Sequence, residues 1–173
     1  MAGPDKRIKS LYLYSEEPGT GKTTTASAIL SEFLTRHYIG SLQRGLTPNQ
    51  RPAYFLDVNA WQSEYNEFNR ARVPDHIAEP AASRYYSAME NAKTAPFAVL
   101  DDIAVRSVTD GFRADLHTVI NARVTNKLPT IYTSNVTIEE LPDIFGEQRL
   151  ADRIGDLTMA LSFGGSSRRG TRR

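Results

Sequence analysis

Apolar positions in this chain fall into five short β-prone runs set between stretches of helical spacing. Ser10-Leu11-Tyr12-Leu13-Tyr14 is the first run, a buried strand with no helical stop signal. Ala26, Ile29, Leu30, Phe33 and Leu34 then recur at i, i+3, i+4, i+7 and i+8, the stripe of a helix lying on a sheet. Residues 41–52 are polar and carry Gly45, Pro48 and Pro52, which predicts a loop. A second strand is expected over 53–58, then two helices over 60–72 and 77–93, divided at Val73-Pro74-Asp75. Trp61, Tyr65 and Phe68 are spaced i, i+4, i+7 and read as a core-facing stripe rather than a base-stacking platform. The third strand, 97–102, is four apolar residues running into two carboxylates, Asp101 and Asp102. Phe112, Leu116, Val119, Ile120 and Val124 mark a helix that ends near Asn126-Lys127-Leu128-Pro129. A fourth strand spans 130–135, and Thr137-x-x-Glu140 is a capping box that opens another helical stretch. Residues 146–154 are helical, with Arg149 and Arg153 on one face, and 157–163 form the fifth strand. Strands alternating with helices predict an α/β fold with a mostly parallel sheet covered on both faces.

One segment adds chemistry to this frame. Glu16-Glu17-Pro18-Gly19-Thr20-Gly21-Lys22-Thr23-Thr24 lies between the first strand and the first helix. Gly19 and Gly21 let the backbone turn its N–H groups inward around an anion. Lys22 supplies a point charge, Thr23 a hydroxyl able to hold Mg²⁺, and the helix presents its positive N-terminus to the same phosphates. This is the phosphate-binding loop G-x-x-x-x-G-K-[ST], with Glu16 at the first glycine position. Glu17 to Thr24 are therefore the candidate nucleotide contacts. The third strand has the form of a buried parallel strand that delivers acids at its C-terminal edge, where open α/β sheets bind ligands. Asp101 is expected to meet Mg²⁺ beside Thr23, and Asp102 to orient the attacking water.

Composition narrows the alternatives. At 173 residues, 40% hydrophobic and 24% charged, the chain reads as one ordinary globular domain. It has no cysteine, so disulfides and thiolate metal sites are excluded, and His37, His76 and His117 lack metal-ligand spacing. No run reaches the length of a membrane span, and no signal peptide is visible, which fits a bacterial-type cytoplasmic location. The net charge is +1, but Arg168, Arg169, Arg172 and Arg173 lie in the last six residues, so the body carries 17 basic against 20 acidic groups. Residues 1–8 read as an N-terminal extension or cloning remnant, 9–164 as the folded domain, and 165–173 as a basic tail.

Two further stretches carry a family resemblance. With Leu100-Asp101-Asp102-Ile103-Ala104-Val105-Arg106 and Leu128-Pro129-Thr130-Ile131-Tyr132-Thr133-Ser134-Asn135, the chain resembles the AAA+ ATPases of the DnaC, DnaI and IstB group. Within that group it is most similar to the DnaC-like replicative helicase loaders of phages and their Gram-positive hosts. The resemblance implies a P-loop NTPase core with a five-stranded parallel sheet in the order 5-1-4-3-2 and no C-terminal lid domain. It implies that Asn135 is the sensor 1 residue. In the Gly146–Arg153 segment, which carries one inserted residue after Glu147, it implies that Arg153 is the arginine finger, with Arg149 second. Gly164-Gly165-Ser166-Ser167-Arg168 resembles the family's last motif, which makes Arg168 the sensor 2 candidate. Asp102 departs from the glutamate common in AAA+ proteins, which points to slow hydrolysis.

The resemblance also implies ATP and Mg²⁺ as cofactors, a homo-oligomer built through the nucleotide site, and a replicative helicase bound through a domain outside this sequence. It implies single-stranded DNA binding as well. Arg70, Arg72 and Arg84, in the insertion between the second and third strands, are the candidate contacts. A transposition helper ATPase of the IstB kind would share every motif but bind duplex DNA. A P-loop small-molecule kinase is the reading from another class, and it leaves Asn135 and Arg153 without a role.

Overall fold

The computed structural model describes residues 10–105 and 107–165. In chain order these form β1 (Ser10–Tyr14), α1 (Lys22–Gln43), β2 (Ala53–Asp57), α2 (Val58–Asn69), α3 (Asp75–Thr94) and β3 (Phe97–Asp101). They continue as α4 (Asp110–Thr125), β4 (Thr130–Ser134), α5 (Leu141–Phe145), α6 (Gln148–Leu157) and β5 (Thr158–Ser162). Every strand pair is parallel, and the strands line up as β2-β3-β4-β1-β5, the expected 5-1-4-3-2 read from the other edge.

Alternation along each strand sends side chains to two cores. Tyr12, Leu56, Leu100 and Tyr132 face the larger one, which also takes in Trp61, Tyr85, Phe112, Leu116 and Ile154 from the helices. Leu13, Phe97, Val99 and Ile131 face the smaller one, where Ala26, Ile29, Leu30 and Phe33 of α1 pack. Helices thus lie on both faces, but coverage is unequal. Met159 and Leu161 of β5 stand in register with Leu11 and Leu13, and both remain exposed. Among the described residues the smaller core is roofed by α1, whose Leu34 is exposed rather than core-facing as its spacing predicts.

Several boundaries differ from the sequence expectation, each for a local reason. The first helix runs on to Gln43, three residues into the expected loop, and Ser41 Oγ donates to His37 O at 2.7 Å. The Asp57 carboxylate accepts the Ala60 N–H at 3.0 Å, so β2 ends there and Val58 already belongs to α2. The helix then stops at Asn69 rather than Arg72, because Arg70 is already extended, with a ψ of 141°, and Arg72 beyond it takes a left-handed φ of 66°. Asp102 has a φ of 62°, which ends β3 one residue early. β4 ends at Ser134, and α6 extends through Leu157, which trims β5 at its start.

Arg123, at the end of α4, passed unnoticed in the sequence and is fully buried. Its Nε donates to Thr130 Oγ1 at 2.7 Å, Nη1 to Ala92 O at 2.6 Å and Ala95 O at 3.0 Å, and Nη2 to Pro129 O at 2.9 Å. Ala92 lies in the last turn of α3, and Ala95 caps it, so the guanidinium faces the negative end of a helix dipole. Burial lowers its pKa to about 10, leaving it charged at neutral pH.

Candidate functional site

The loop between β1 and α1 curls onto the carbonyl of Glu17, which accepts Ser15 Oγ at 3.1 Å, Thr20 Oγ1 at 3.4 Å and Lys22 Nζ at 3.5 Å. Lys22 Nζ also donates to Ser15 O at 3.2 Å. Gly19 and Gly21 hold φ of 79° and 102°, conformations that L side chains rarely adopt. Glu16 is not among the positive-φ residues, so the loop needs no glycine where the usual motif has its first. That departure therefore carries no backbone strain.

Thr23, in the first turn of α1, meets β3. Its Oγ1 donates to the Asp101 carboxylate at 3.0 and 3.2 Å, and Thr133 Oγ1 donates to Asp101 Oδ1 at 2.6 Å. Asp101 is 9% exposed. Burial pushes its carboxyl above the usual carboxylate range, the two hydroxyl bonds pull it back, and the Asp102 and Asp57 carboxylates push it up again. A buried acid held by hydroxyls, with acidic neighbours, fits a divalent cation shared with Thr23.

Asp102 is set beside this pair by its left-handed backbone, which Asp tolerates better than longer side chains do. Its N–H donates to Thr133 Oγ1 at 2.8 Å, and Asn59 Nδ2, in the first turn of α2, donates to its Oδ2 at 3.1 Å. Thr133 and Asn59 were not singled out for the site from the sequence. The only signals available were the polar Thr-Ser-Asn end of the fourth strand and the polar start of the insertion.

The remaining candidates lie in different places. Asn135 is exposed, one residue past Ser134, whose carbonyl accepts the Ser15 N–H at 3.3 Å. It thus directly follows the strand that pairs with β1, the strand leading into the phosphate loop. Arg149 and Arg153 line a polar depression of about 530 Å³ between α4 and α6, which shares no lining residue with the loop of its own chain. Arg84 pairs with Glu64 at 3.0 Å and Glu67 at 3.4 Å, while Arg70 and Arg72 are exposed between α2 and α3. Arg168, with residues 1–9 and the tail from 166, lies outside the described residues. No described helix is long and apolar enough to cross a membrane.

Comparison with known proteins agrees with this arrangement. No family model matches. The replicative helicase loader DnaI of Bacillus subtilis is 28% identical over 93% of this chain. The chain spans about half (48%) of that relative's length. Among solved structures, DnaI superposes with a TM-score of 0.62 at 21% identity, over 97% of this chain and 77% of the other. The DnaC helicase loader gives 0.61 at 20% identity, over 90% and 78%. AMPPCP-bound DnaA from Aquifex aeolicus gives 0.59 at 13% identity, over 90% and 41%. The resemblance to DnaC/DnaI-type ATPases is borne out, and the α/β P-loop core with its 5-1-4-3-2 parallel sheet is the AAA+ fold.

Proposed function

We propose that this chain is the ATP- and Mg²⁺-dependent AAA+ ATPase module of a replicative helicase loader, acting in the cytoplasm of a bacterial or phage-infected cell. The observation that carries the reading is the meeting of Thr23, at the start of α1, with Asp101, at the end of β3. A hydroxyl and a carboxylate far apart in sequence converge beside the loop between β1 and α1. In this reading residues 17–24 hold the phosphates, Lys22 adds its charge, and Thr23 with Asp101 holds the metal. Mg²⁺, when bound there, neutralises phosphate charge. Asp102, held by Asn59 and Thr133, orients the attacking water, and Asn135 contacts the terminal phosphate. Arg153, with Arg149 as second candidate, reaches the nucleotide of a neighbouring subunit, and Arg168 reaches it from the tail. The separation of Arg153 from its own loop supports action in trans and, with it, assembly through the nucleotide site.

A replicative helicase is the proposed partner, and single-stranded DNA the proposed substrate of the assembled state. Arg70, Arg72 and Arg84 are the candidate contacts, with the charge of Arg84 offset by two glutamates. Few phosphate contacts are available on a body of negative net charge, so binding should be weak in single subunits and strengthen on assembly. Fluorescence anisotropy of a labelled oligonucleotide, with and without ATP and Mg²⁺, tests this. Single-stranded DNA should bind at least about tenfold tighter with ATP, and Lys22→Ala should abolish the gain. Equal binding with and without nucleotide would overturn the coupling, and a preference for duplex would favour a transposition helper.

A further inference from the structure

The depression around Arg153 is built in an unusual way for a cation. Arg153 Nη1 donates to Asn121 Oδ1, and this is the one hydrogen bond of Arg153 among the described residues. Asp152 and Asp156 lie on the same helix, yet no ion pair joins either to Arg153; Asp152 accepts instead from Gln148 at 2.8 Å. One turn before Asn121 on α4, His117 Nδ1 lies 3.2 Å from Glu147 Oε2, at the N-cap of α6. The His117 ring also stands edge-on to Phe145 at 5.5 Å. Two consecutive turns of α4 therefore seat α6, one at its entry and one at Arg153.

A neutral acceptor has a chemical consequence. A carboxylate would fix the guanidinium equally well, but it would cancel the charge that a phosphate must feel. A carboxamide fixes one Nη while leaving the positive charge and the other donors for an anion. We propose that Asn121 is the positioning residue of Arg153, aiming its guanidinium at the nucleotide of the neighbouring subunit without neutralising it. The inference rests on the proposed role of Arg153 in trans. It adds that α4, whose N-terminus follows the Asp101–Asp102 segment of its own site, sets the aim of the finger offered to the next site.

Turnover by the full chain, assembled with ATP and Mg²⁺, decides the matter. Asn121→Ala should lower kcat about ten- to a hundredfold with KM and ATP affinity unchanged, the scale of a misaimed group. Asn121→Asp should also lower kcat, although it keeps the acceptor and should hold the thermal midpoint at or above that of the parent. A merely structural tie between α4 and α6 would be preserved by Asp, so parental turnover in Asn121→Asp beside a slow Asn121→Ala would overturn the proposal. The double variant Asn121→Ala/Arg153→Ala should be no slower than Arg153→Ala alone, and a further loss would also count against it. Mixing Asn121→Ala with Lys22→Ala should restore turnover, because the second variant lends intact fingers to the first; no recovery in confirmed mixed assemblies would argue for a defect within one subunit. If Arg153→Ala turns over like the parent, or the assembled parent hydrolyses no ATP, the trans reading beneath the proposal fails. If Arg153→Ala is slow while both Asn121 variants are normal, only the positioning role fails.

Discussion

The hydroxyl of Thr133 serves two acids at once, donating to the Asp101 carboxylate and accepting from the Asp102 N–H. Thr133→Val keeps the shape but leaves a buried carboxylate oxygen and a backbone donor without that partner, a cost of about 1–3 kcal/mol. The expected result is a lower urea midpoint and slower ATP turnover, with Thr133→Ser close to the parent. Parental turnover in the Val variant would show that Asp102 needs no such support. Gly19, Gly21, Lys22, Thr23 and Asp101 could be read from the sequence because each sits inside a local motif. Thr133 could not, since its partner is set by strand register: Leu100 pairs with Tyr132, which brings the next residues of β3 and β4 side by side. Asn59 and Asn121 escaped for a similar reason, as their bonds depend on how helices dock and not on neighbours in the chain. Glu16 looked like a flaw in the motif, and only the backbone angles show that the loop absorbs it.

Between elements, the α2–α3–α4 contact is an aromatic cluster. Trp61 stacks on Tyr85 at 4.7 Å and tilts against Phe112 at 4.9 Å, and its Nε1 donates to Tyr85 O at 3.1 Å. Tyr65 lies in the same cluster and reaches α4 where Gly111 leaves room, because a Cβ there would stand 2.3 Å from the Tyr65 hydroxyl oxygen. Tyr65 is hemmed in by Phe68, Tyr85 and Phe112 and cannot swing aside cheaply. Gly111→Ala should therefore cost about 1–3 kcal/mol, as overpacking does. Most of that loss should return in a Tyr65→Phe background, where the intruding oxygen is gone. Denaturant unfolding of the four proteins in this cycle measures the coupling, and an equal cost in both backgrounds would exclude the contact as its source. The i, i+4, i+7 stripe foretold that Trp61, Tyr65 and Phe68 face a core, but not that a glycine makes room for the Tyr65 hydroxyl. Periodicity also overreached at Leu34, since a stripe gives the direction a helix faces and not the width of the surface it meets.

At the scale of the molecule, alternating strands and helices were enough to indicate a parallel α/β sheet, whereas the strand order followed only from family resemblance, because periodicity carries no information about neighbours. That order puts β1 between β4 and β5, while β2 and β3 pair at the far side. A fragment of residues 1–128 holds the whole phosphate loop and both acids, yet it lacks the strands on either side of β1. It should bind a fluorescent ATP analogue at least about a hundredfold more weakly than the full chain, because the loop's anchoring strand has nothing to pair with. Affinity within about tenfold of the full chain would show that the loop is organised locally. Synthesis runs in the opposite order to assembly here. The ribosome releases the phosphate loop before β4 and β5, so its strand must wait for a pairing between distant segments that is slow to form. On the function proposed above, a nascent chain should stay blind to ATP until β4 and β5 have emerged and paired with β1, so that nucleotide occupancy would mark the completion of the sheet.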